Sequence, residues 1–244
     1  MNIIVNGSTG VMGRHLIELI EASAEHSVCA KVSRSSPTCS SFDQYSGPAD
    51  CVIDFSNHAA TADLLAYCLQ RKLPLVIATT GHSPEEKEAI RHAAETVPVF
   101  FSGNMSLGIA VLVQLAKQAA KMFPDADIEI VEKHHNRKLD VPSGTALMLA
   151  DAIKEVRPEA TYNIGRPEGG KRTKNEIGIH ALRYGNEVGT HEVIIATPNQ
   201  VLTLKHESET RALFAEGALS AAVFTAKQCA GLYSMAELLA DSSI

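Results

Sequence analysis

The chain has 244 residues, of which 45% are hydrophobic and 20% are charged, an ordinary balance for a soluble protein of one or two domains. Its formal net charge of -6 argues against a general nucleic-acid binder, which needs a surplus of lysine and arginine on one face. The five scattered cysteines form no C-x-x-C pair and no apolar run reaches membrane-spanning length, so we expect a reduced cytoplasmic protein without a metal or a membrane partner.

The first segment of the chain predicts a strand, a glycine turn and a helix. A short buried strand, Asn2–Asn6, precedes the turn GSTGVMG at residues 7–13, and a helical pattern covers residues 14–24. Glycines at such a turn let the backbone approach a pyrophosphate, whose charge then lies at the helix N-terminus. The spacing departs from G-x-G-x-x-G, so a tight turn without a ligand is the alternative. The cofactor residues that we predict here are Gly7, Ser8, Thr9, Gly10, Val11 and Met12.

The second predicted strand, residues 27–33, ends without the acidic residue that binds the ribose hydroxyls of NAD. No Asp or Glu occurs in residues 28–42, whereas Lys31 and Arg34 are available to meet a 2′-phosphate. We therefore expect NADPH to be used at least as well as NADH, and a solvated Arg34 is the alternative.

Strands and helices alternate through the next part of the chain. We predict strands at residues 50–55, 74–79 and 97–102, and helices at residues 58–71 and 84–96. This alternation demands a mostly parallel sheet covered by helices on both faces, with ligands at the carboxyl ends of the strands. Those ends are small or polar in this chain. The strand-end residues predicted to contact the cofactor are Ala78, Thr79, Thr80, Gly81, Ser102, Gly103, Asn104 and Met105.

The densest polar chemistry follows a long apolar helix and lies in residues 127–146, DIEIVEKHHNRKLDVPSGTA. The first residues alternate as a half-buried strand does, and two histidines, an asparagine, an arginine and a lysine then occupy positions His134 to Lys138. Cationic neighbours favour loss of a proton by Lys138, which suits it to proton donation, although it could equally hold a carboxylate. A solvated basic turn is the structural alternative.

The end of the same stretch predicts an anion pocket. Residues 142–145 (PSGT) precede an apolar helical run at residues 146–156, so Ser143 or Thr145 can cap a helix whose first amides face the basic cluster. This capped helix start favours a ligand site over a solvated turn.

The remainder of the chain predicts a second domain with another type of sheet. We expect an exposed loop at residues 157–175 and then strands at residues 177–184, 190–197 and 200–206 without helices between them. Such a succession indicates an open mixed or antiparallel sheet. The last predicted elements are helices at residues 209–229 and 235–240. The fold class is therefore α/β, a Rossmann-like parallel-sheet domain with a second α+β domain.

Four polar residues, His180, Arg183, His191 and His206, alternate with apolar residues along these strands. One face of the second sheet is therefore polar. It faces the site or a subunit interface, or it faces solvent, which is the simplest explanation.

Seven motifs are distributed along almost the whole chain. They are G-x-x-G-x-M-G-R at 7–14, DFS at 54–56, ATTG at 78–81, FSGNMSLG at 101–108, E-x-H-H-x-x-K-x-D-x-P-S-G-T at 132–145, IGIHALRYGNEVGTHEV at 177–193 and FAEGA at 214–218. In these motifs the chain resembles the bacterial 4-hydroxy-tetrahydrodipicolinate reductases of lysine biosynthesis, formerly called dihydrodipicolinate reductases. It departs from them at Val141 and Gly103, where alanine is usual, and in a short segment after the second strand, which affects the cofactor preference.

The resemblance implies hydride transfer from NADH or NADPH to a cyclic dicarboxylic imine, giving 2,3,4,5-tetrahydrodipicolinate and water. It implies that His134 is the catalytic acid/base and Lys138 the proton donor. The substrate residues that it implies are Thr80, His135, Ser143, Gly144 and Thr145. It also implies a homotetramer formed through the second-domain sheet, with residues 1–103 and 217–244 binding the dinucleotide and residues 104–216 binding substrate.

Two other functions remain open from the sequence. Another Rossmann-fold oxidoreductase of the aldehyde-oxidising type would want a catalytic cysteine after the cofactor domain, yet none lies between Cys68 and Cys229. A non-catalytic dinucleotide sensor would keep the glycine turn but has no reason to keep a lysine, two histidines and a capped anion site together.

Overall fold

The computed structural model describes residues 1–36 and 39–241. The chain forms two compact units, one made of Met1–Leu107 and Arg211–Ile244 and the other of Gly108–Thr210. The assignment of cofactor binding to the first and of substrate binding to the second stays a prediction.

Strands and helices are numbered here in chain order. The strands are β1 (Asn2–Asn6), β2 (Ser27–Val32), β3 (Cys51–Asp54), β4 (Leu75–Ile77), β5 (Pro98–Phe101), β6 (Asp127–His134), β7 (Thr161–Ile164), β8 (Glu176–Arg183), β9 (Gly189–Thr197), β10 (Gln200–Ser208) and β11 (Gly231–Tyr233). The helices are α1 (Val11–Glu21), α2 (Thr61–Arg71), α3 (Pro84–Ala94), α4 (Leu107–Met122), α5 (Gly144–Val156), α6 (Ala212–Thr225) and α7 (Met235–Asp241), with short 3-10 turns at Phe42–Gln44 and His58–Ala60.

The first unit contains a six-stranded sheet in the order β11-β5-β4-β3-β1-β2, in which every neighbouring pair is parallel. The inner strands are runs such as Cys51–Asp54 in which every residue is buried, as expected for a parallel sheet covered on both faces. Strand order reverses between β1 and β3, and ligands bind at the carboxyl ends of strands at such a point. The predicted Rossmann-like class is therefore confirmed.

The second unit contains a five-stranded mixed sheet in the order β10-β9-β6-β8-β7. Strand β6 is parallel to β8 and antiparallel to β9, so the predicted mixed sheet is confirmed. Ile128 and Ile130 of β6 pack in a buried core with apolar residues of α4 and α5. Glu132 and His134 continue the same buried face of β6, so the core gives way to polar side chains at the carboxyl end of the strand.

Two short strands are absent from the sequence-based prediction. Residues 157–175 were expected to be an exposed loop, but they include β7, which lies parallel to β8 at the edge of the mixed sheet. Strand β11 lies between the two C-terminal helices and pairs with β5. Strands of three or four residues carry too few side chains to show an alternating pattern.

Candidate active site

The glycine turn after β1 has a shape that only glycine permits. Gly7 has a φ of +80°, and a Cβ atom there would lie 2.3 Å from the Phe55 carbonyl oxygen. A Cβ atom on Gly13 would lie 2.2 Å from the Gly7 carbonyl oxygen. The backbone of the glycine turn thus packs directly against the backbone of the first turn of α1, with no space for a side chain between them. This packing is the reason for which dinucleotide-binding turns need glycine.

The N-terminus of α1 leaves its first amides available. Its N-cap residue is Gly10, and no side chain caps the helix. Thr9, Gly10 and Val11 are exposed at this point. Uncapped amides and the positive end of the helix dipole suit an anion. The residues present therefore fit the pyrophosphate of a dinucleotide.

A cluster of hydroxyl groups connects this turn to the segment after β2. The Thr9 Oγ1 atom lies 2.7 Å from Ser33 Oγ and 2.8 Å from Ser35 Oγ. Arg34, between these serines, lines a cavity of about 300 Å³ together with Asn6 at the end of β1. The structure therefore brings Arg34 to the predicted cofactor turn.

Lys31 behaves differently from Arg34. Its Nζ atom lies 2.6 Å from Glu21 Oε1, in the last turn of α1. A helix of this length extends about 16 Å, so the ammonium group lies toward the end of α1 that is remote from the glycine turn. The structure does not bring Lys31 to the place expected for a 2′-phosphate.

The ends of β3 and β4 are joined by buried polar contacts. Asp54 accepts hydrogen bonds from Asn6 Nδ2 at 2.7 Å and from Ser56 Oγ at 2.5 Å, and burial raises the pKa of its carboxyl group. The Ser56 amide donates to Thr79 Oγ1 at 2.9 Å. Thr79 is buried and holds the two strand ends together, whereas the neighbouring Thr80 is exposed.

The end of β5 lies beside Thr80. A Cβ atom on Gly103 would be 4.0 Å from Thr80 Cγ2, so these two exposed residues are neighbours. Ser102 and Asn104 form a closed turn, in which Ser102 Oγ donates to the Asn104 carbonyl oxygen at 2.7 Å. Met105 is buried. Of the predicted strand-end residues, the structure therefore presents Thr80, Gly81 and Gly103 at the surface and uses Ser102 and Asn104 to shape the turn.

In the second unit, a fully buried carboxylate lies at the carboxyl end of β6. Glu132 is 0% exposed, and its Oε2 atom lies 2.5 Å from His134 Nδ1. Arg183 donates to both carboxylate oxygens, at 2.8 and 2.7 Å, and the Ser143 amide donates at 3.0 Å. Burial raises the pKa of Glu132, but these hydrogen bonds outweigh it and lower that pKa to about 2. An ionised carboxylate only accepts hydrogen bonds, so His134 Nδ1 carries a proton.

His191 forms a second layer of the same site. It pairs with Glu132 across β9 and β6, and it is only 4% exposed. Its Nε2 atom lies 3.1 Å from Ser143 Oγ, and its ring meets the His134 ring edge to face at 5.2 Å. Burial and the charge of His134 lower the pKa of His191 to about 3. His191 is therefore a neutral imidazole at ordinary pH.

The start of α5 agrees with the predicted cap. Ser143 is the N-cap residue, and its Oγ atom accepts a hydrogen bond from the Ala146 amide at 3.2 Å. Because its amide binds Glu132 and its hydroxyl contacts His191, Ser143 is built into the protein network. Gly144, the first residue of α5, is exposed. The role of Ser143, Gly144 and Thr145 in substrate binding stays a prediction.

Lys138 lies in the turn that follows β6. Its Nζ atom is 2.9 Å from Asp140 Oδ1, and its charge contributes to the lowered pKa of His191. Lys138 is thus close to the histidine cluster. The sequence predicted only cationic neighbours for it, but the structure adds the Asp140 carboxylate. Arg137 is exposed and donates to Asn186 at 2.9 Å, away from this cluster.

Sequence reasoning missed the groups that hold the site together. From the sequence, Glu132 is only a strand residue, and solvent exposure is the simplest explanation for Arg183 and His191. The structure contradicts this explanation, since the Arg183 and His191 side chains lie against the Glu132–His134 pair. His180 lies on the other face of the sheet, where its Nε2 atom is 2.7 Å from Glu129 Oε2. The available signal was the E-x-H spacing, which puts both side chains on one face of a strand.

Acid is expected to destabilise the fold through His191. Its folded pKa of about 3 lies below its ordinary value of 6.5, so between these values the unfolded chain binds a proton that the folded chain does not. Stability therefore rises with pH across this window. His191→Gln removes this pH dependence. As the pH rises through the window, the free energy of unfolding of the wild type should therefore increase relative to that of the variant by at most about 1.4 kcal/mol per pH unit. Urea unfolding from about pH 4 to about pH 7 measures it, and a pH-independent difference would contradict a neutral buried His191.

Among residues 1–36 and 39–241, no group of three or more histidine, cysteine, aspartate or glutamate side chains could hold a metal ion. In the same part of the chain, each helix is too short or too polar to cross a membrane.

A chain that combines a Rossmann-like unit with a glycine turn and a second unit with a carboxylate–histidine pair and a lysine belongs to a class of nicotinamide-dependent oxidoreductases. Two family models match the chain: "Dihydrodipicolinate reductase, N-terminus" over residues 1–105 and "Dihydrodipicolinate reductase, C-terminus" over residues 108–239. The chain belongs to the dihydrodipicolinate reductase family, and the resemblance predicted from its motifs is confirmed.

Individual relatives agree with this placement. A 4-hydroxy-tetrahydrodipicolinate reductase from Caldanaerobacter subterraneus subsp. tengcongensis is 47% identical over 246 residues, which covers 98% of each chain. Another from Clostridium tetani is 43% identical over 243 residues, or 96% of this chain and 95% of that one. A dipicolinate-bound dihydrodipicolinate reductase from Paenisporosarcina sp. TG-14 shares the fold, with a TM-score of 0.77 at 23% identity over 96% of this chain and 97% of that one.

Proposed function

We propose that the protein reduces the cyclic imine 4-hydroxy-2,3,4,5-tetrahydrodipicolinate with NADPH or NADH, giving 2,3,4,5-tetrahydrodipicolinate in diaminopimelate and lysine biosynthesis. The reaction takes up one hydride and one proton and releases one water. The observation that carries the proposal is the buried Glu132–His134 pair beside Lys138, at the start of α5, in a chain of this reductase family.

The residues of the second unit have distinct roles in this proposal. The reduced nicotinamide supplies the hydride when it is bound. His134, with a proton held on Nδ1 by Glu132, exchanges a proton with the reacting molecule through Nε2. Lys138 donates the proton to the ring. His135 and the first residues of α5, Ser143 to Thr145, meet the substrate carboxylates, because a helix N-terminus favours an anion.

The first unit supplies the cofactor site in this proposal. The turn at residues 7–13 receives the pyrophosphate, and the exposed Thr80 and Gly103 border the nicotinamide end. The hydroxyls of Thr9, Ser33 and Ser35 and the guanidinium of Arg34 are donors suited to a 2′-phosphate, which NADH lacks.

Arg34→Met is expected to raise the KM for NADPH by roughly 10- to 100-fold, the usual scale for a charge-assisted hydrogen bond, and to leave the KM for NADH nearly unchanged. Lys31→Met is the matched control, because Lys31 binds Glu21 instead of facing the turn. It should alter neither constant, and the double variant should behave as Arg34→Met does. Equal effects of Arg34→Met on both cofactors would place Arg34 outside the phosphate site.

We further propose a homotetramer in the cytoplasm. Leu182 and Val201 are exposed apolar side chains on the face of the mixed sheet opposite α4 and α5, and a second copy of the chain would cover them. The reaction consumes a nicotinamide cofactor, and the scattered cysteines agree with a reducing compartment.

The direct test is NAD(P)H consumption, followed by absorbance, in the presence of the freshly formed cyclic imine. We expect turnover with the imine and none with simple aldehydes or with open-chain dicarboxylates. Binding of NADPH without turnover would instead indicate a dinucleotide sensor. Turnover of an aldehyde in place of the imine would indicate another oxidoreductase of the same fold.

A further inference from the structure

Glu132 occupies a position at which an apolar residue would be expected. Ile128 and Ile130 precede it on the same face of β6, and both are completely buried. A buried carboxylate without partners is strongly unfavourable, and even a well-paired one is often no better for stability than an apolar residue of similar size. Packing alone does not explain a glutamate at this position.

Four hydrogen-bond donors hold the Glu132 carboxylate. Both oxygens are held by Arg183, and the Ser143 amide adds a third donor at 3.0 Å. The fourth donor is His134 Nδ1, at 2.5 Å. Arg183 also donates to the Asp140 carbonyl oxygen at 2.9 Å, so the carboxylate is anchored on the strand, the following turn and the helix start. A carboxylate held in this way cannot rotate, and it fixes the imidazole that it binds.

We propose that Glu132 is the positioning residue for His134: its carboxylate holds the proton on Nδ1 and aims Nε2 at the reacting molecule. The inference rests on the proposed reductase function, in which His134 exchanges the proton. Glu132 itself touches neither substrate nor cofactor in this scheme. It acts by fixing the ring orientation and the tautomer of His134, as carboxylates do for other working histidines.

Gly189 supports the same assignment from the opposite edge of the ring. A Cβ atom at this residue would lie 3.1 Å from His134 Nε2 and 3.4 Å from Cδ2. A side chain at Gly189 would therefore crowd the nitrogen that Glu132 leaves for chemistry. The ring is held at Nδ1, and its Nε2 edge is bordered by a residue without a side chain.

The chain offers a matched control on the other face of β6. Glu129 also binds a histidine, His180, at 2.7 Å, and it accepts hydrogen bonds from Arg166 and Arg172, both at 2.8 Å. Its chemistry is similar to that of Glu132, but it faces away from His134. A loss that is merely structural should follow from changing either glutamate.

The experiment compares Glu132→Gln with Glu129→Gln, after checking that both variants keep the wild-type oligomeric state. Glu132→Gln keeps the shape of the side chain and removes its charge. It should lower kcat at least about tenfold, change KM little and move the pH profile of kcat to lower pH, because the imidazolium loses its counter-charge. Glu132→Asp, which keeps the charge, should recover part of the loss. Glu129→Gln should keep kcat and the pH profile of the wild type. The pH profile also reflects the other ionisable groups near the Glu132–His134 pair, which are Arg183, Lys138, Asp140, His191 and His206.

Nitrogen-15 NMR of the histidine side chains gives a readout that needs no activity, and its wild-type measurement needs no variant. In the wild type, neutral His134 should carry its proton on Nδ1, and this preference should be lost in Glu132→Gln. A wild-type Nε2–H tautomer, an unchanged pH profile in Glu132→Gln, or an equal loss of kcat in Glu129→Gln would each overturn the proposal. A wild type that does not turn over the imine but holds the Nδ1–H tautomer would refute the reductase function and leave the positioning role intact.

Discussion

His134→Gln and Lys138→Ala are each expected to lower kcat for the imine by about two to four orders of magnitude, the usual scale for losing a positioned acid or base. The structure supplies the reason: His134 is held at Nδ1 by a buried carboxylate, and Lys138 lies in the adjoining turn with Asp140 at 2.9 Å. Stopped-flow measurement of NADPH oxidation at saturating cofactor gives kcat, and circular dichroism checks the fold. Near-normal turnover in both variants would contradict the catalytic roles proposed for His134 and Lys138.

Lys133→Ala provides the control for this pair. Lys133 lies on the opposite face of β6, where its Nζ atom is 2.7 Å from Glu192 Oε1. Its removal should leave kcat unchanged. A lower kcat in Lys133→Ala would show that loss of any positive charge in this region reduces turnover. The double variant of His134 and Lys138 is expected to be little worse than the single variants, because groups that act as a unit are not additive. Fully multiplicative losses would indicate two independent steps.

The fold was predictable because its main signals are local. The centres of the strands are apolar, as at residues 3–5 (IIV) and 51–53 (CVI), and the strands alternate with helical patterns, which is enough to indicate a parallel sheet covered on both faces. Strand order and pairing were not predictable, since they depend on contacts between distant segments. Strands β7 and β11 were not predicted because an edge strand of three or four residues contains at most two periods of alternation.

The candidate site was half predictable for the same reason. The stretch from residue 132 to residue 145 is continuous in sequence, so its histidines, lysine and helix cap are visible together. Arg183 and His191 come from other strands, and only the strand register places them opposite His134 and Glu132. No property of a single sequence reveals register directly. Glu132 was visible but was not recognised, because its importance depends on being buried.

Lys31 and Arg34 show a related limit of sequence reasoning. Both are cations near the end of β2, and the pattern of charges treats them alike. The direction of each side chain separates them, since Lys31 reaches back to Glu21 and Arg34 lines the cavity next to the glycine turn. Side-chain direction follows from the packing of α1 on β2, which the sequence does not show.

Gly7→Ala is expected to weaken binding of NADH and NADPH equally and to lower the free energy of unfolding by about 2–5 kcal/mol. The left-handed backbone at Gly7 costs a side chain about 1–2 kcal/mol, and the displacement that relieves a 2.3 Å contact with the Phe55 carbonyl oxygen costs about 1–3 kcal/mol more. Both cofactors share the pyrophosphate, so the loss should not depend on the 2′-phosphate. Urea unfolding and calorimetric titration with each cofactor measure the two effects.

The other glycines of the turn give a graded series for the same test. Gly13→Ala should also be strongly destabilising, because its Cβ atom would lie 2.2 Å from the Gly7 carbonyl oxygen, which is fixed backbone. Gly10→Ala should cost less, since its Cβ atom would lie 3.2 Å from the same oxygen and a shift of a few tenths of an ångström relieves the contact. The loss of stability should therefore be smallest at Gly10. A series in which all three variants are equally stable would mean that the backbone of the turn is not closely packed against α1 and β3, and the reason for its glycines would then lie in the ligand alone.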